Sequence, residues 1–258
     1  MHARFRDIKS IHIFAGVPEA YPIGFPVDGE EQIPCLTHPP DNSVPEYLCA
    51  FDQLSRAPKP EETALHFYRA DEIFQAVISN PEKYLEKFAK FRAVLTPDCS
   101  LTLGMSPSKR AHQTLLSRAV GAIWQSRGIN VIPSLRWSDS SDYDLVTSGL
   151  NPGGTLAISS YGSMRDAELR RNFEMGAREI VTRLMPTTLL FYGAVSRRLL
   201  NDLNESTEVR LFRSPTSVIQ KSQSDSSQKE SNQVLFEGPI EQPIRGLASS
   251  VNRPADST

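Results

Sequence analysis

The sequence predicts an α/β domain with a mainly parallel sheet and flanking helices, and two observations carry that expectation. From residue 63 onward, short apolar runs alternate with longer segments of helical period, as in a parallel α/β domain. Most of the short runs are apolar at every position, which is how strands buried on both faces read. Two closures suit the pattern: an incomplete or irregular (β/α) barrel and, as the alternative, a doubly wound open sheet. The stretch "SDSSDYDLVTSGLNP" between the third and fourth of these runs is the deciding region, because it leaves room only for a short helix.

Taken in order, "IHIF" (11–14) and "EYLCAF" (46–51) are short strand candidates in a segment dense in proline between residues 15 and 62. Each proline removes a backbone donor and blocks a regular helix, so residues 1–62 read as an irregular segment wrapped over the domain. The domain proper, 63–213, carries strands at "TALHFY" (63–68), "AVLT" (93–96), "NVIPSL" (130–135), "TLAISS" (155–160), "TLLFY" (188–192) and "EVRLF" (208–212). Asn80 and Pro81 open a helix "PEKYLEKFAKF". Ser106 and Pro107 suit the cap and first position of another that Gly128 stops, with Ala111, Leu115, Ala119 and Ile123 as its buried stripe. Ser163 followed by Asp166 resembles a capping box, after which Leu169, Phe173, Ala177, Ile180 and Leu184 form a stripe that Pro186 ends. Residues 214–258 are rich in Ser and Gln and too poor in large apolar groups to offset ordering entropy. They read as a disordered tail in which "VLFEGPI" (234–240) is a docking candidate.

Composition narrows the function classes. The 258 residues include 28 basic and 30 acidic ones, a formal charge of -2. That balance argues against a global attraction to nucleic acid or anionic membranes and leaves nucleic acid open only at a local patch. Cys35, Cys49 and Cys99 are an odd number without a CxxC pair, so neither a disulfide framework nor a zinc site is indicated and a reducing cytoplasm fits. Nothing in the sequence names a cofactor, and no run approaches the roughly 20 apolar residues of a membrane-spanning helix.

In parallel α/β domains ligands bind beyond the carboxyl ends of the strands, and that rule selects residues without a motif. Asp98 is the candidate catalytic acid or base, since a carboxylate at a strand end before a helix can move a proton or accept hydrogen bonds from a sugar or base; its alternative is a turn that satisfies loop amides. The candidate ligand-binding residues are Ser100 beside it, Arg136, Trp137 and Asp139 in "LRWSD", Tyr161 after the fourth run, and Arg118 on the long helix. An arginine placed like Arg118 is usually a solvated face residue, but beside Gly121 it could reach a carboxylate such as Asp98 or an anionic ligand. Trp137 could stack on a sugar or nucleobase, or cap the core. Asp139, Asp142 and Asp144 lack the glycine and glutamate of a calcium loop and suit a solvated acidic loop. Cys99 and His66 read as buried filler and core histidine.

The blocks "HFYRADEIFQAVISNPEKYLEKFAKFRAVLTPDCSL", "SRAVGAIWQSRGINVIPSLRWSD", "GTLAISSYGS" and "LMPTTLLFYG", in that order, resemble the domain-of-unknown-function family 4417 of bacteria, phages and mobile elements. The resemblance spans about residues 46–193 and implies a mobile-element setting without an activity. Where this chain has Cys99 that family usually shows an aromatic, which argues against thiol chemistry. The expectation is therefore a cytoplasmic enzyme or enzyme-derived domain that binds a small polar, sugar- or nucleotide-like ligand, with a non-catalytic protein- or nucleic-acid-binding module as the alternative. Oligomeric state is not readable.

Overall fold

The computed structural model describes residues 13–14, 17–18, 26–40, 43–213 and 240–241. Two antiparallel ribbons come first, β1 (Ile13–Phe14) with β2 (Val17–Pro18) and β3 (Val27–Asp28) with β4 (Ile33–Pro34). The first sheet then forms from β5 (Tyr47–Ala50), β6 (Thr63–His66), β7 (Ala93–Leu95) and β8 (Val131–Ile132), all parallel. The second contains β9 (Ser134–Leu135), β10 (Thr155–Ser159), β11 (Thr188–Tyr192) and β12 (Glu208–Phe212), again all parallel. The protein is thus α/β with two four-stranded parallel sheets. Ile240–Glu241, β13, adds an antiparallel edge to β5, while the rest of "VLFEGPI" and of 214–258 lies outside the described residues.

Pro133 explains the division. The run expected as one strand at 130–135 forms two, because Pro133 has no N–H for a ladder. On its upstream side the Ile132 carbonyl accepts from Thr96 N; its own carbonyl accepts from Ala157 N. Within three residues the chain leaves the first sheet and joins the second. The side chain of Thr96 stitches the junction, accepting from Ser134 N at 2.9 Å and donating to Ser134 O at 3.3 Å.

Alternation along the strands sorts the core into three layers. Leu48, Ala64, Ala93, Leu95, Ile132, Ala157, Leu190, Tyr192 and Phe212 form one interior shared by both sheets. Outside the first sheet, Leu65, Val94 and Val131 pack against α1 (Asp71–Ser79), α2 (Leu85–Phe88) and α3 (Pro107–Ser126). Leu156, Ile158 and Phe191, outside the second, pack against α4 (Tyr143–Thr147), α5 (Ala167–Leu184) and α6 (Arg197–Asn204). No ladder joins β12 to β5 among the described residues, so the barrel is not closed and the arrangement is open, as the alternative reading has it. Arg210 crosses this edge, reaching Pro45 O at 3.4 Å and the Glu46 carboxylate at 3.5 Å.

Three local expectations need correction. α5 is capped by Asp166, which accepts from Glu168 N and Leu169 N, rather than by Ser163. Pro81–Tyr84 is a 3-10 turn before the four-residue α2, so "PEKYLEKFAKF" is not one helix. In α3 the stripe against the sheet is Leu116, Val120 and Trp124, and Leu115 is only half-buried. The opposite face is not solvated either. Leu36 crosses it so closely that a Cβ on Gly121 would stand 3.3 Å from Leu36 Cδ1 and 2.7 Å from Thr96 Cγ2. Gln125 fixes the same segment, donating to Thr37 O at 2.7 Å and accepting from Thr37 N at 3.0 Å.

Candidate functional site

The strand ends of β7 and β9 meet where the two sheets part, and a cavity of about 20 Å³ lies between them and α3. By the same measure roughly 10–15 Å³ holds one water, so the space fits a small group rather than a whole metabolite. Asp98 and Cys99 line it from the β7 loop, Gln113, Thr114, Ser117 and Arg118 from α3, and Ser134 and Arg136 from β9 and its loop. Of all the lining residues only Arg136 is not buried, so the mouth lies beside it.

Asp98 and Arg136 face each other at that mouth, the Arg136 Nη1 donating to Asp98 Oδ2 at 2.8 Å. The Asp98 side chain is 5% exposed and that of Arg136 24%. Burial pushes the Asp98 carboxyl above its ordinary value, outweighing the lowering by Arg136, and Asp71 adds to the rise. This is a carboxylate whose ionised form is held by a single, partly solvated cation. Such a group can exchange its partner or its proton when a ligand arrives.

Arg118 occupies the floor. It is 2% exposed, and Nη2 donates to Val146 O at 2.6 Å near the end of α4, where helix carbonyls lack intrahelical partners. The expected reach toward Asp98 is not made; the covering of α3 by Leu36 and α4 replaces the solvated setting. Burial alone pulls Arg118 down to about 10. Among the described residues its Nε has no hydrogen-bond partner, nor have Thr114 Oγ1 and Ser117 Oγ, its neighbours on the same helix.

The remaining candidates sit around this centre or away from it. Ser100 is engaged by Asp71 at the start of α1, its N donating at 3.1 Å and its hydroxyl at 2.8 Å, and Gln113 Nε2 donates to the same carboxylate at 3.2 Å. Trp137 is placed in the core: its ring stacks on Phe173 at 5.4 Å, Nε1 donates to Asn172 O, and Gly176 is required because a Cβ there would come within 2.0 Å of that nitrogen. Asp139 and Asp142 are not a solvated loop. Both pair with Arg110, at 3.3 and 2.9 Å, and Asp142 also accepts from Ser138 N and Oγ. The Ser141 hydroxyl, ahead of Arg110, holds the Asp139 carboxyl below its ordinary value. Among the described residues no group of three metal-ligating side chains converges. Tyr161 is exposed on the rim, next to Gly162, whose backbone passes the Arg136 guanidinium.

Burial pushes the Cys99 thiol up, which disfavours a thiolate. His66 stacks on Tyr68 at 5.0 Å and meets Tyr192 at a tilt at 4.8 Å, accepts from Tyr68 N through Nδ1, and is pulled down to about 3 by burial and Arg69. This neutral imidazole belongs to the shared interior. Sequence reasoning missed Ser117, Gln113 and Ser134 as cavity residues; their one signal was the small-residue run Ala119, Gly121, Ala122, which marks a helix packed on more than one side.

Residues 25–213 match the family described as Domain of unknown function (DUF4417). The chain belongs to the DUF4417 family. Two phage proteins, each called Gene 1 protein, are similar to this DUF4417 chain. That of Mycobacterium phage L5 is 35% identical over 171 residues, covering 66% of this chain and 75% of its own length. That of Mycobacterium phage D29 is 34% identical over 186 residues, covering 70% of this chain and 66% of its own length. No solved structure matches. Among the described residues of this DUF4417 protein, no helix is long and apolar enough to cross a membrane.

Proposed function

We propose that this protein, in a phage or mobile-element setting, binds a small polar, sugar- or nucleotide-like molecule at the carboxyl ends of β7 and β9. The observation that carries the reading is the convergence of Asp98, Gln113, Arg118, Ser134 and Arg136, from three separate parts of the chain, on one cavity at the junction of the sheets. In parallel α/β domains ligands bind beyond the carboxyl ends of the strands, and here the loops after β7 and β9 lie where the two sheets part. Asp98 and Arg136 at the mouth supply one acceptor and one donor group for ligand hydroxyls or ring nitrogens. If a reaction occurs, Asp98 is the group that holds or receives the proton, since burial already favours its protonated form.

The test is a thermal-shift screen of the full chain and of Asp98→Asn against nucleosides, nucleotides, sugars and short nucleic acids. A small molecule that raises the melting temperature of the wild type and not of the variant supports the reading. Equal shifts in both proteins, or none in either, count against it.

A second reading, a nucleic-acid-binding module, draws support from a groove of about 450 Å³ on α5 and α6 lined by Arg170, Arg171, Arg178 and Arg198. Arg178 pairs with Asp202, and the groove includes one acid, Glu174. Short DNA or RNA binding that weakens steeply with salt and is lost in Arg170→Ala/Arg171→Ala would favour this second reading.

A further inference from the structure

We infer that the ligand of this cavity presents an oxyanion, a carboxylate or a phosphate, to Arg118, Thr114 and Ser117 on α3. The inference rests on the binding reading above and adds the ligand's charge class and the groups that seat it. Three buried polar atoms without a hydrogen-bond partner among the described residues, Arg118 Nε, Thr114 Oγ1 and Ser117 Oγ, belong to residues that lie on one stretch of α3 and line the same cavity. Residues 114, 117 and 118 share a helix face because they are three and four positions apart. Buried polar groups in folded proteins are nearly always hydrogen-bonded, so three orphans at one cavity mark a place where another molecule supplies the acceptor.

Charge makes that acceptor an anion. The Arg118 guanidinium has five N–H donors, and its recorded bond is to a neutral carbonyl, Val146 O. No carboxylate pairs with it among the described residues: Asp98 is held by Arg136, Asp139 and Asp142 by Arg110, and Asp71 by Ser100 and Gln113. A water molecule would satisfy the hydrogen bonds and leave the charge uncompensated, whereas an oxyanion accepts from Nε–H and both hydroxyls and neutralises it. Asp98 and Arg136 pair with each other at the mouth, so among the residues lining the cavity Arg118 is the cation without a carboxylate partner. The small volume fits a single oxyanion group, with the rest of the ligand toward Arg136.

The experiment titrates the full-length protein with sodium formate, sodium acetate and inorganic phosphate at constant ionic strength, following melting temperature and heat of binding. Glucose and adenosine serve as neutral probes. The same titrations are made on Arg118→Lys and on Thr114→Val/Ser117→Ala; the latter leaves the guanidinium and its bond to α4 in place. The expected result is saturable stabilisation of the wild type by formate and acetate or by phosphate, the arm that responds naming the oxyanion. Binding should weaken about tenfold or more in each variant, the size of a lost charge-assisted hydrogen bond. Anion binding unchanged in both variants would overturn the inference by placing the anion elsewhere. Stabilisation by glucose or adenosine and by none of the three anions would overturn it while leaving the binding reading intact. No response to any of the five probes would overturn the inference together with that reading.

Discussion

Replacing Asp98 by Asn separates a ligand-exchanging carboxylate from a structural clamp. In the wild type Asp98 accepts a charged hydrogen bond from Arg136 at 2.8 Å. Such bonds contribute about 1.5–3 kcal/mol and neutral ones about 0.5–1.5, so the amide, which keeps an acceptor oxygen, forfeits about 1 kcal/mol. Against that loss stands relief of desolvation, which already outweighs the Arg136 field and raises the carboxyl's pKa. Arg136 is 24% exposed and can rehydrate, so its charge is not stranded. The net change should lie within about 1 kcal/mol of the wild type, or about 2–4 °C for a domain of this size.

The pH dependence has a definite sign. A carboxyl whose folded pKa is raised keeps its proton to higher pH in the fold than in the unfolded chain. Its contribution is therefore greatest below the unfolded value, 3.8, and declines as pH rises through the folded one. Wild type relative to Asp98→Asn should gain stability as pH falls from 7 toward 4. Urea unfolding of both full chains at pH 7 and pH 5 measures this. A loss above about 3 kcal/mol without pH dependence, the signature of a broken buried pair, would refute the reasoning and make Asp98 a clamp.

Other perturbations have equally definite outcomes. Gly121→Ala, whose Cβ would stand 2.7 Å from Thr96 Cγ2 and 3.3 Å from Leu36 Cδ1, should lose about 1–3 kcal/mol in chemical denaturation, and no loss would mean that the Thr96 and Leu36 side chains yield freely. Arg110→Ala strands the 1% exposed Asp142 side chain and should cost about 3 kcal/mol; a change below about 1 would show that Ser138 alone holds it. His66, pulled down to about 3, contributes stability that is fully present above pH 6.5 and lost as pH falls toward 3, roughly 4–5 kcal/mol in all. Acid unfolding of His66→Gln should be correspondingly less steep below pH 6.5, whereas parallel wild-type and variant curves would contradict this. Cys99 should resist alkylation at pH 8 until the chain is unfolded, and rapid labelling of the folded protein would contradict its burial.

Much of the sheet was legible because a parallel strand covered on both sides must be apolar throughout, as in "TLLFY" and "TLAISS". The short helices were less so. In α6 the cap is plain in hindsight, Ser196 accepting from Leu199 N, but eight residues offer only two helical turns of period. Asp98 and Arg136 could be found because the carboxyl-end rule depends only on where strands stop. The floor could not. Arg118 lies off the stripe that the sequence period suggests, and the elements that cover its face of α3 are distant in sequence, α4 at Arg118 itself and the Leu36 segment one turn on at Gly121. Trp137 shows the converse: a strand-end indole suits ligand stacking, yet the glycine that admits it to the core, Gly176, lies on a helix whose packing a local pattern does not reveal.

Hydrogen–deuterium exchange on the full chain, with and without the small molecule that most stabilises it, tests the central claim most directly. The account expects new protection in 96–101, 113–118 and 134–139, the three segments around the cavity, and little change on α5 and α6. Protection confined to 165–178 and 197–204, or uniform across the fold, would contradict a ligand site at the junction of the two sheets.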